Sequence, residues 1–161
     1  ILMLKYGEIT PLGAWFAGYL ARLVKQEREA FEADVLVPVP LHPSRLRARG
    51  YNQAELIARP LAGILGIPFK SYLLVRTRPR PDKLRLTRRE RWDTVRGAYA
   101  LHPGAQVDKL RVLLVDDVFT TGATLDACSR ALRAAGAVRV VGVTVARALP
   151  SSLVPDATAQ F

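Results

Sequence analysis

The most informative part of the sequence is Val112-Leu113-Leu114-Val115-Asp116-Asp117-Val118-Phe119-Thr120-Thr121-Gly122-Ala123-Thr124-Leu125. Its apolar start predicts a buried strand that brings two acids to its carboxyl end. A short loop of Thr, Gly and Ala follows, and apolar residues then recur at helical spacing from Leu125 to Ala135, with Gly136 as the stop. The apolar run from Val138 to Val145 predicts the next strand. This strand–helix–strand order predicts a parallel sheet with a right-handed crossover.

The same stretch suits a phosphorylated ribose. In open α/β sheets, ligands bind beyond the carboxyl ends of the strands, which is where Asp116 and Asp117 stand. Their carboxylates are suited to accept hydrogen bonds from the two hydroxyl groups of a ribose. Free amides at a helix N-terminus bind phosphate, hydroxyl side chains add donors, and small residues let the phosphate approach the backbone. We therefore assign a phosphate group to Thr120, Thr121, Gly122, Ala123 and Thr124.

Two acids after a strand also occur in other classes of protein. They resemble a Walker B element, but the sequence has no G-x-x-x-x-G-K-[ST] loop, which an NTPase requires. They also resemble the acidic pocket of a receiver domain, but that pocket normally involves an early strand and is not followed by Thr-Thr-Gly-Ala-Thr. A bare Asp-Asp pair is often solvated in a loop. The complete strand–loop–helix stretch favours the phosphoribose interpretation over these three.

Composition limits the class of protein. The 161 residues suit one domain, and 50% of them are hydrophobic, which excludes global disorder. The one cysteine, Cys128, excludes an internal disulfide framework and fits a reducing compartment. No apolar run approaches the roughly 20 residues that span a bilayer, and no secretory signal is recognisable. We expect a cytoplasmic protein without membrane insertion, with one domain over residues 1–150 and a polar tail over 151–161.

Nearly all of the net charge of +10 lies in two segments. The segment from Arg76 to Arg96 holds nine Lys or Arg and three acids, a net charge of +6. The segment from His42 to Arg59 holds four Arg and one acid, a net charge of +3. Such focused charge implies polyanionic partners, although a solubilising surface is the alternative. The candidate residues for binding nucleic acid or another polyanion are Arg76, Arg78, Arg80, Lys83, Arg85, Arg88, Arg89 and Arg91.

Local signals predict the N-terminal elements. Thr10-Pro11 begins a helix, and its apolar stripe from Leu12 to Leu23 is assigned to the core. The run from Val35 to Val39 predicts a short buried strand that ends at its prolines or lies at a rim. The residues from Leu41 to Tyr51 predict a loop.

The middle of the chain is predicted in the same way. Asn52 and Glu55 resemble a capping box for a helix that runs to Gly66. Pro60 lies inside that helix and is expected to kink it. The segment from Arg76 to Arg96 carries two prolines and no sustained apolar period, so we predict a long mobile loop there.

The stretch from Val112 to Leu125 resembles the phosphoribosyl pyrophosphate (PRPP) signature of type I phosphoribosyltransferases. Further stretches are similar to one branch of that superfamily, the ComF (competence protein F) family, which is amidophosphoribosyltransferase-like. These stretches are Leu4-Lys5-Tyr6-Gly7, Val37-Pro38-Val39-Pro40-Leu41-His42, Arg49-Gly50-Tyr51-Asn52-Gln53-Ala54, Leu86-Thr87-Arg88-Arg89-Glu90-Arg91 and Gly97-Ala98-Tyr99. The resemblance runs from about Leu4 to Arg147, which is nearly the whole chain.

The resemblance implies the type I phosphoribosyltransferase fold: an α/β domain with a central, mostly parallel sheet flanked by helices and a flexible basic hood loop. It implies a PRPP site with Asp116 and Asp117 as the catalytic residues on the ribose. Mg²⁺ is the implied cofactor, held by Asp117 through water. The family's pyrophosphate loop falls on Leu41, His42 and Arg45.

The sequence departs from the family in two places. Members commonly carry an N-terminal zinc module with four cysteines, so we expect that module to be lost or to precede Ile1. The hood block usually has Thr, Gln and Asn where this sequence has Arg80, Lys83 and Thr94. The two cations strengthen polyanion binding, and the changes weaken the case for the family's usual loop chemistry.

Two functions are open. One is an Mg²⁺-dependent phosphoribosyltransferase, and the other is a protein that keeps this fold and binds single-stranded DNA. The family's association with DNA uptake and natural transformation implies a competence role, with recombination or uptake proteins as partners. No set of residues specifies the acceptor. Arg147 is a candidate for the acceptor pocket, whereas Trp92, Tyr99 and Phe119 either stack on a base or pack in the core.

Overall fold

The computed structural model describes residues 11–79 and 87–148. In chain order the elements are α1 (Leu12–Gln26), β1 (Val35–Pro38), α2 (Pro43–Arg49), α3 (Gln53–Leu65), β2 (Leu74–Arg76), α4 (Arg88–Val95), β3 (Tyr99–Leu101), β4 (Arg111–Phe119), α5 (Ala123–Ala134) and β5 (Arg139–Arg147). Strands β1, β4 and β5 form a parallel sheet in the order β1-β4-β5, and β2 and β3 form an antiparallel hairpin. None of the described helices has the length and apolar content to cross a bilayer.

The apolar run of β4 is buried on both faces of the central sheet. Val112 and Leu114 belong to a core cluster with Leu132 of α5. Leu113 and Val115 belong to a second cluster, with residues of α1 and α3. Successive strand residues point to opposite faces, so a strand covered on both sides must be apolar at every position. The predicted α/β architecture is therefore confirmed.

Strand β1 ends at Pro38, close to the predicted limit. Its residues pair in parallel with β4, and on its other side the Leu36 N–H donates to the Pro68 carbonyl at 2.8 Å. The Lys70 N–H then donates to the Leu36 carbonyl at 3.0 Å. A proline has no N–H to continue such a ladder, so the strand stops where the sequence predicts.

The loop predicted from Leu41 to Tyr51 is wrong in part because it contains helix α2. The side chain of His42 accepts a hydrogen bond from the Ser44 N–H, Pro43 takes the first helical position, and Gly50 ends the helix in the left-handed region at φ 82°. These are strong start and stop signals. A helix of seven residues is too short to show an apolar period, so periodicity missed it.

Helix α3 begins at the predicted cap. The Asn52 side chain accepts a hydrogen bond from the Ala54 N–H. The Glu55 carboxylate instead pairs with Arg59 at 2.5 Å, one turn further along. Pro60 stays inside the helix and leaves the Leu56 carbonyl without its usual donor.

Helix α1 fits against α3 where Pro60 frees that carbonyl. A Cβ at Gly13 would lie 2.5 Å from the Leu56 oxygen, so only glycine permits this approach.

The apolar stripe of α1 is divided: Leu20 is buried, whereas Trp15, Tyr19 and Leu23 are 66%, 58% and 42% exposed. Their assignment to the core is wrong because small residues of α1, such as Ala17 and Ala21, form the buried face.

The segment from Arg76 to Arg96 is not one long loop. Arg76 ends β2, and residues 88–95 form α4, which a complete capping box between Thr87 and Glu90 begins. Val95 is buried and Trp92 packs against the core. An eight-residue helix with so many charges has no apolar period, so its capping box is the only sequence signal that predicts it. Arg80, Lys83 and Arg85, with Thr10, the Leu4-Lys5-Tyr6-Gly7 stretch and the tail over 151–161, lie outside the described residues.

Candidate functional site

A cleft opens where the carboxyl ends of β1 and β4 meet α2, α4, α5 and the β2–β3 hairpin. Neighbouring parallel strands deliver their ends to one edge of a sheet, which is the usual ligand position in this class of fold. The residues that line the cleft are Val39, Pro40, Leu41, Arg45, Arg49, Asn52, Gln53, Arg76, Arg91, Thr94, Val95, Tyr99, Asp116, Asp117, Val118, Thr120, Thr121, Ala123 and Thr124.

Two adjacent carboxylates line the floor of the cleft. Asp116 and Asp117 belong to β4, and the Asp117 N–H donates to Asp116 Oδ1 at 2.8 Å. This bond restricts the carboxylate of Asp116. Asp117 is only 4% exposed, which is rare for an acid. Both acids are therefore held by the strand rather than carried on a solvated loop.

The loop after β4 ends in the free amides of α5. Gly122 precedes the helix with φ 80°, and its missing Cβ would stand 3.0 Å from Phe119 Cζ. Thr121 Oγ1 accepts a hydrogen bond from the Ala123 N–H at 3.4 Å. Thr120, Thr121 and Thr124 present hydroxyl groups beside these amides. Donors gathered at a helix N-terminus form a site for a phosphate group.

Four arginines surround the acids and this loop. Arg45 and Arg49 come from α2, Arg76 from β2 and Arg91 from α4. Arg49 donates to Gln53 Oε1 at 2.6 Å, and Arg91 lies 3.5 Å from Thr120 Oγ1. Guanidinium groups bind phosphate oxygens in a planar, two-pronged geometry. The cleft thus combines groups that suit an anion with carboxylates that suit hydroxyl donors.

Most of the residues predicted for the site come together in this cleft. Leu41, Arg45, Asp116, Asp117, Thr120, Thr121, Ala123 and Thr124 line it, with Arg76 and Arg91 from the predicted basic set. His42 does not line it, because its Nδ1 caps α2 through Ser44. Gly122 shapes the loop without lining the cleft. Arg88 and Arg89 are exposed on α4, and the Arg78 carbonyl accepts from Arg76 Nε at 3.0 Å.

The sequence analysis assigns no site role to Gln53 and leaves two roles open for Tyr99. Gln53 is buried and holds Arg49 from the first turn of α3. Asn52 both caps α3 and donates to the Val39 carbonyl at 3.0 Å, which ties the helix to the end of β1. Tyr99 is cross-strand partner to Arg76. Only the pairing of β2 with β3 reveals this last contact, and neither short strand has a periodic signal.

Burial changes the pKa of two weak acids beside the cleft, Tyr99 and Cys128. It raises the pKa of Tyr99 far above its ordinary value, with further increases from Cys128 and Asp116, while Arg76 and Thr124 act in the opposite direction. Burial also raises the pKa of the Cys128 thiol. Both groups therefore stay protonated near neutral pH, so Cys128 is not a nucleophile and Tyr99 acts as a neutral hydroxyl. Arg147 lies over the Phe119 ring at 5.6 Å, at the side of the loop.

The donor set of the cleft fits a magnesium ion that arrives with a phosphorylated ligand. Among residues 11–79 and 87–148, no three His, Cys, Asp or Glu side chains converge as a metal site. The cleft instead offers the two carboxylates of Asp116 and Asp117. Mg²⁺ typically binds one or two carboxylates and completes its shell with water and substrate phosphates. The two adjacent acids, with arginines around them, therefore fit such an ion.

Comparison with known proteins agrees with this geometry. Residues 50–160 match the family model of the phosphoribosyl transferase domain. The chain belongs to the phosphoribosyltransferase domain family. A purine phosphoribosyltransferase from Pyrococcus horikoshii Ot3 has a similar structure, with a TM-score of 0.53 and 22% identity over 88% of this chain and 77% of that chain. At this identity the likeness shows the fold, so the predicted type I phosphoribosyltransferase fold is confirmed.

Two curated relatives confirm the resemblance to the ComF family. Competence protein F of Haemophilus influenzae is 32% identical over 142 residues, which are 83% of this chain and 62% of that protein. The DNA utilization protein YhgH of Salmonella typhi is 34% identical over 140 residues, which are 85% of this chain and 61% of that protein. The chain therefore spans less than two thirds of the length of either relative.

Proposed function

We propose that the cleft binds PRPP and that the chain is the phosphoribosyl-handling domain of a competence-type protein. The observation that carries this proposal is the convergence of Asp116 and Asp117 with the threonine loop before α5, inside a ring of arginines. Each group matches one part of the ligand. The carboxylates match the ribose hydroxyls, the α5 amides and hydroxyls match the 5-phosphate, and the guanidinium groups match the pyrophosphate.

Transfer from PRPP requires cleavage of the bond between the anomeric carbon and the pyrophosphate oxygen. The electron pair of that bond leaves with pyrophosphate, and the sugar carbon passes through an oxocarbenium-like centre before the acceptor bonds to it. Arg45, Arg49, Arg76 and Arg91 would hold the leaving group, and the acids would orient the sugar and favour its positive charge. Mg²⁺, when bound at Asp117 through water, would neutralise the charge of the pyrophosphate.

Calorimetric titration tests this proposal. Mg²⁺ and PRPP would be titrated into the wild type and into an Asp116→Asn/Asp117→Asn variant, which keeps the shape of both side chains. We expect the wild type to bind and the variant to lose at least about tenfold in affinity, as two charge-assisted hydrogen bonds are weakened. Asp126→Asn is the matched control, because Asp126 pairs with Arg130 on α5 and does not line the cleft. Wild-type protein that fails to bind PRPP would refute the proposal.

A second candidate function is binding of single-stranded DNA, in the cytoplasm, during DNA uptake. The binding surface would be a basic rim formed by Arg88 and Arg89, which are exposed on α4 next to the cleft that Arg91 lines. One similar protein is named for competence and another for DNA utilization, which supports this role. Charge on such a rim attracts a nucleic-acid backbone and would leave the cleft available for PRPP.

The salt dependence of oligonucleotide binding tests the second candidate. Affinity for a single-stranded oligonucleotide should fall linearly on a log–log plot as salt rises, with about 0.7 ion released for each phosphate contacted. Arg88→Gln/Arg89→Gln should reduce that slope by about one unit or more. An unchanged slope in this variant would place any DNA binding elsewhere on the protein. If DNA affinity depends steeply on salt and PRPP does not bind, the second candidate is favoured over the first.

A further inference from the structure

Tyr99 belongs to the β2–β3 hairpin and lines the cleft together with residues of the phosphate loop, which is the stretch over residues 120–124. It begins β3 and stands directly opposite Arg76 of β2. Side chains that oppose one another across an antiparallel pair lie on the same face and contact each other. Tyr99 is only 6% exposed although its side chain lines the cleft. It is therefore buried against the protein on most sides and fixed in position.

The hydroxyl of Tyr99 holds an arginine of the cleft. Arg76 Nη1 donates to it at 3.1 Å, and the guanidinium carbon lies 5.3 Å from the centre of the ring. One side chain thus holds an arginine of the hairpin in place within the cleft.

This connection matters because an arginine side chain is otherwise free to move. A mobile guanidinium loses conformational entropy when it binds an anion, whereas a preoriented one has lost it already. Arg76 Nε donates to the Arg78 carbonyl and Nη1 donates to Tyr99, so the face of the guanidinium that carries Nη2 stays available to a ligand. Because burial raises the pKa of the phenol, Tyr99 remains neutral and does not repel an anion.

We propose that Tyr99 is a positioning residue of the anion site, which holds Arg76 so that its guanidinium contacts a phosphate group of the ligand. The proposal rests on the PRPP function proposed above. Tyr99 itself acts through Arg76 rather than by supplying the main ligand contact.

The variant Tyr99→Phe removes the hydroxyl and keeps the ring. We expect it to weaken binding of Mg²⁺–PRPP about three- to tenfold, which is the usual effect of one hydrogen bond. The matched control is Tyr72→Phe, because Tyr72 is 78% exposed and lies away from this cleft. The control should bind PRPP as the wild type does. Thermal unfolding of each variant checks that the fold is intact.

A double-mutant cycle separates positioning from a merely structural role. If Tyr99 acts through Arg76, most of the effect of Tyr99→Phe should vanish in an Arg76→Met background. Additive effects of the two substitutions would overturn the proposal. Should Tyr99→Phe fail to fold, Arg76→Lys takes its place, because lysine keeps the charge but lacks the planar guanidinium that the Tyr99 ring and hydroxyl hold. Unaltered Mg²⁺–PRPP affinity in Arg76→Lys would overturn the proposal equally.

The outcomes distinguish this inference from the proposed function. Wild-type protein that does not bind Mg²⁺–PRPP would remove the proposed function and this inference together. Wild-type binding with equal affinity in Tyr99→Phe would remove the inference alone and leave the PRPP site intact.

Discussion

Gly122 sets the geometry of the phosphate loop. Its φ of 80° lies in the left-handed region, which side chains disfavour, and the Phe119 ring closes the space that a Cβ would need. The residue also stands at the point where the amides of α5 become free. A substitution here therefore changes backbone strain and the position of the phosphate donors at once.

The change Gly122→Ala should lower the free energy of unfolding by about 1 to 2 kcal/mol, the usual cost of a side chain in this region. It should also weaken PRPP binding, since the loop must shift to relieve the contact with Phe119. Gly63→Ala is the control, because Gly63 lies in α3 with open space at its Cβ position and should gain about 0.5 to 1 kcal/mol. Denaturant unfolding and calorimetry measure both effects. Unaltered PRPP affinity in Gly122→Ala would contradict this account of the loop.

Single residues could be predicted where the chemistry is contiguous in sequence. Asp116, Asp117 and the threonines follow one another, so a strand, a loop and a helix bring them to one place without any knowledge of the rest. The sequence predicts His42 in a loop, but its ring caps α2. Tyr99 meets Arg76 only through the pairing of two three-residue strands, which no local pattern specifies.

Among the elements, α4 depends on its cap more than on its apolar content. Most of its residues are polar or charged. The capping box between Thr87 and Glu90 supplies hydrogen-bond acceptors to backbone N–H groups that would otherwise lack partners. The helix carries Arg91 into the cleft and anchors itself through Val95. The stability of α4 and the anion site should therefore be linked.

Thr87→Ala should destabilise the protein by about 1 kcal/mol, the typical cost of a lost N-cap. Hydrogen exchange of the α4 amides should accelerate, and PRPP affinity should fall as Arg91 loses its fixed position. Thr87→Ser keeps a capping hydroxyl and should restore both properties. If Thr87→Ala left exchange in α4 unchanged, the cap would not hold the helix.

At the opposite end of the sheet, Arg111 joins the beginnings of β1 and β4. The Arg111 guanidinium contacts Asp34 at 2.6 Å and Glu32 at 2.5 Å. The backbone N–H of Arg111 donates to Asp34 Oδ2 at 2.8 Å. Hydrogen bonds from Arg111 lower the pKa of Asp34 from 3.8 to about 2. The ionised carboxylate thus stabilises the strand pair.

The depressed pKa of Asp34 fixes the sign of an acid effect. The stabilisation is complete above the ordinary pKa of 3.8 and is lost as the pH falls towards about 2. The melting temperature of the wild type should therefore fall more between pH 5 and pH 2 than that of Asp34→Asn, which lacks the titrating group. Asp93→Asn, at an exposed position on α4, is the control. Equal acid sensitivity of the wild type and Asp34→Asn would contradict the assignment.

Elements were predictable in proportion to their length and burial. The strands β4 and β5 and the helices α1, α3 and α5 carry sustained apolar patterns, and sequence analysis located each of them to within a few residues. The helices α2 and α4 are short and charged, so their caps were the only signals. The exposed side of α1 was misassigned because an apolar stripe does not show which face packs when small residues permit closer contact.

Across the whole molecule, two basic segments that are distant in sequence converge on one cleft. Arg45 and Arg49 belong to the first segment, and Arg76 and Arg91 to the second. The sequence showed where the charge of +10 is concentrated. The parallel sheet brings the first segment to the cleft, because α2 follows β1, the loop before α5 follows β4, and both strands end at the same edge. The second segment reaches the same cleft from β2 and α4, outside that sheet.

A crystal structure of the protein with PRPP and Mg²⁺ would show which residues hold each part of the ligand. We expect the ribose hydroxyls on Asp116 and Asp117, the 5-phosphate on the loop over residues 120–124, and the pyrophosphate among the four cleft arginines. A ligand bound away from the two acids, or crystals grown in saturating PRPP with only solvent in the cleft, would contradict this expectation.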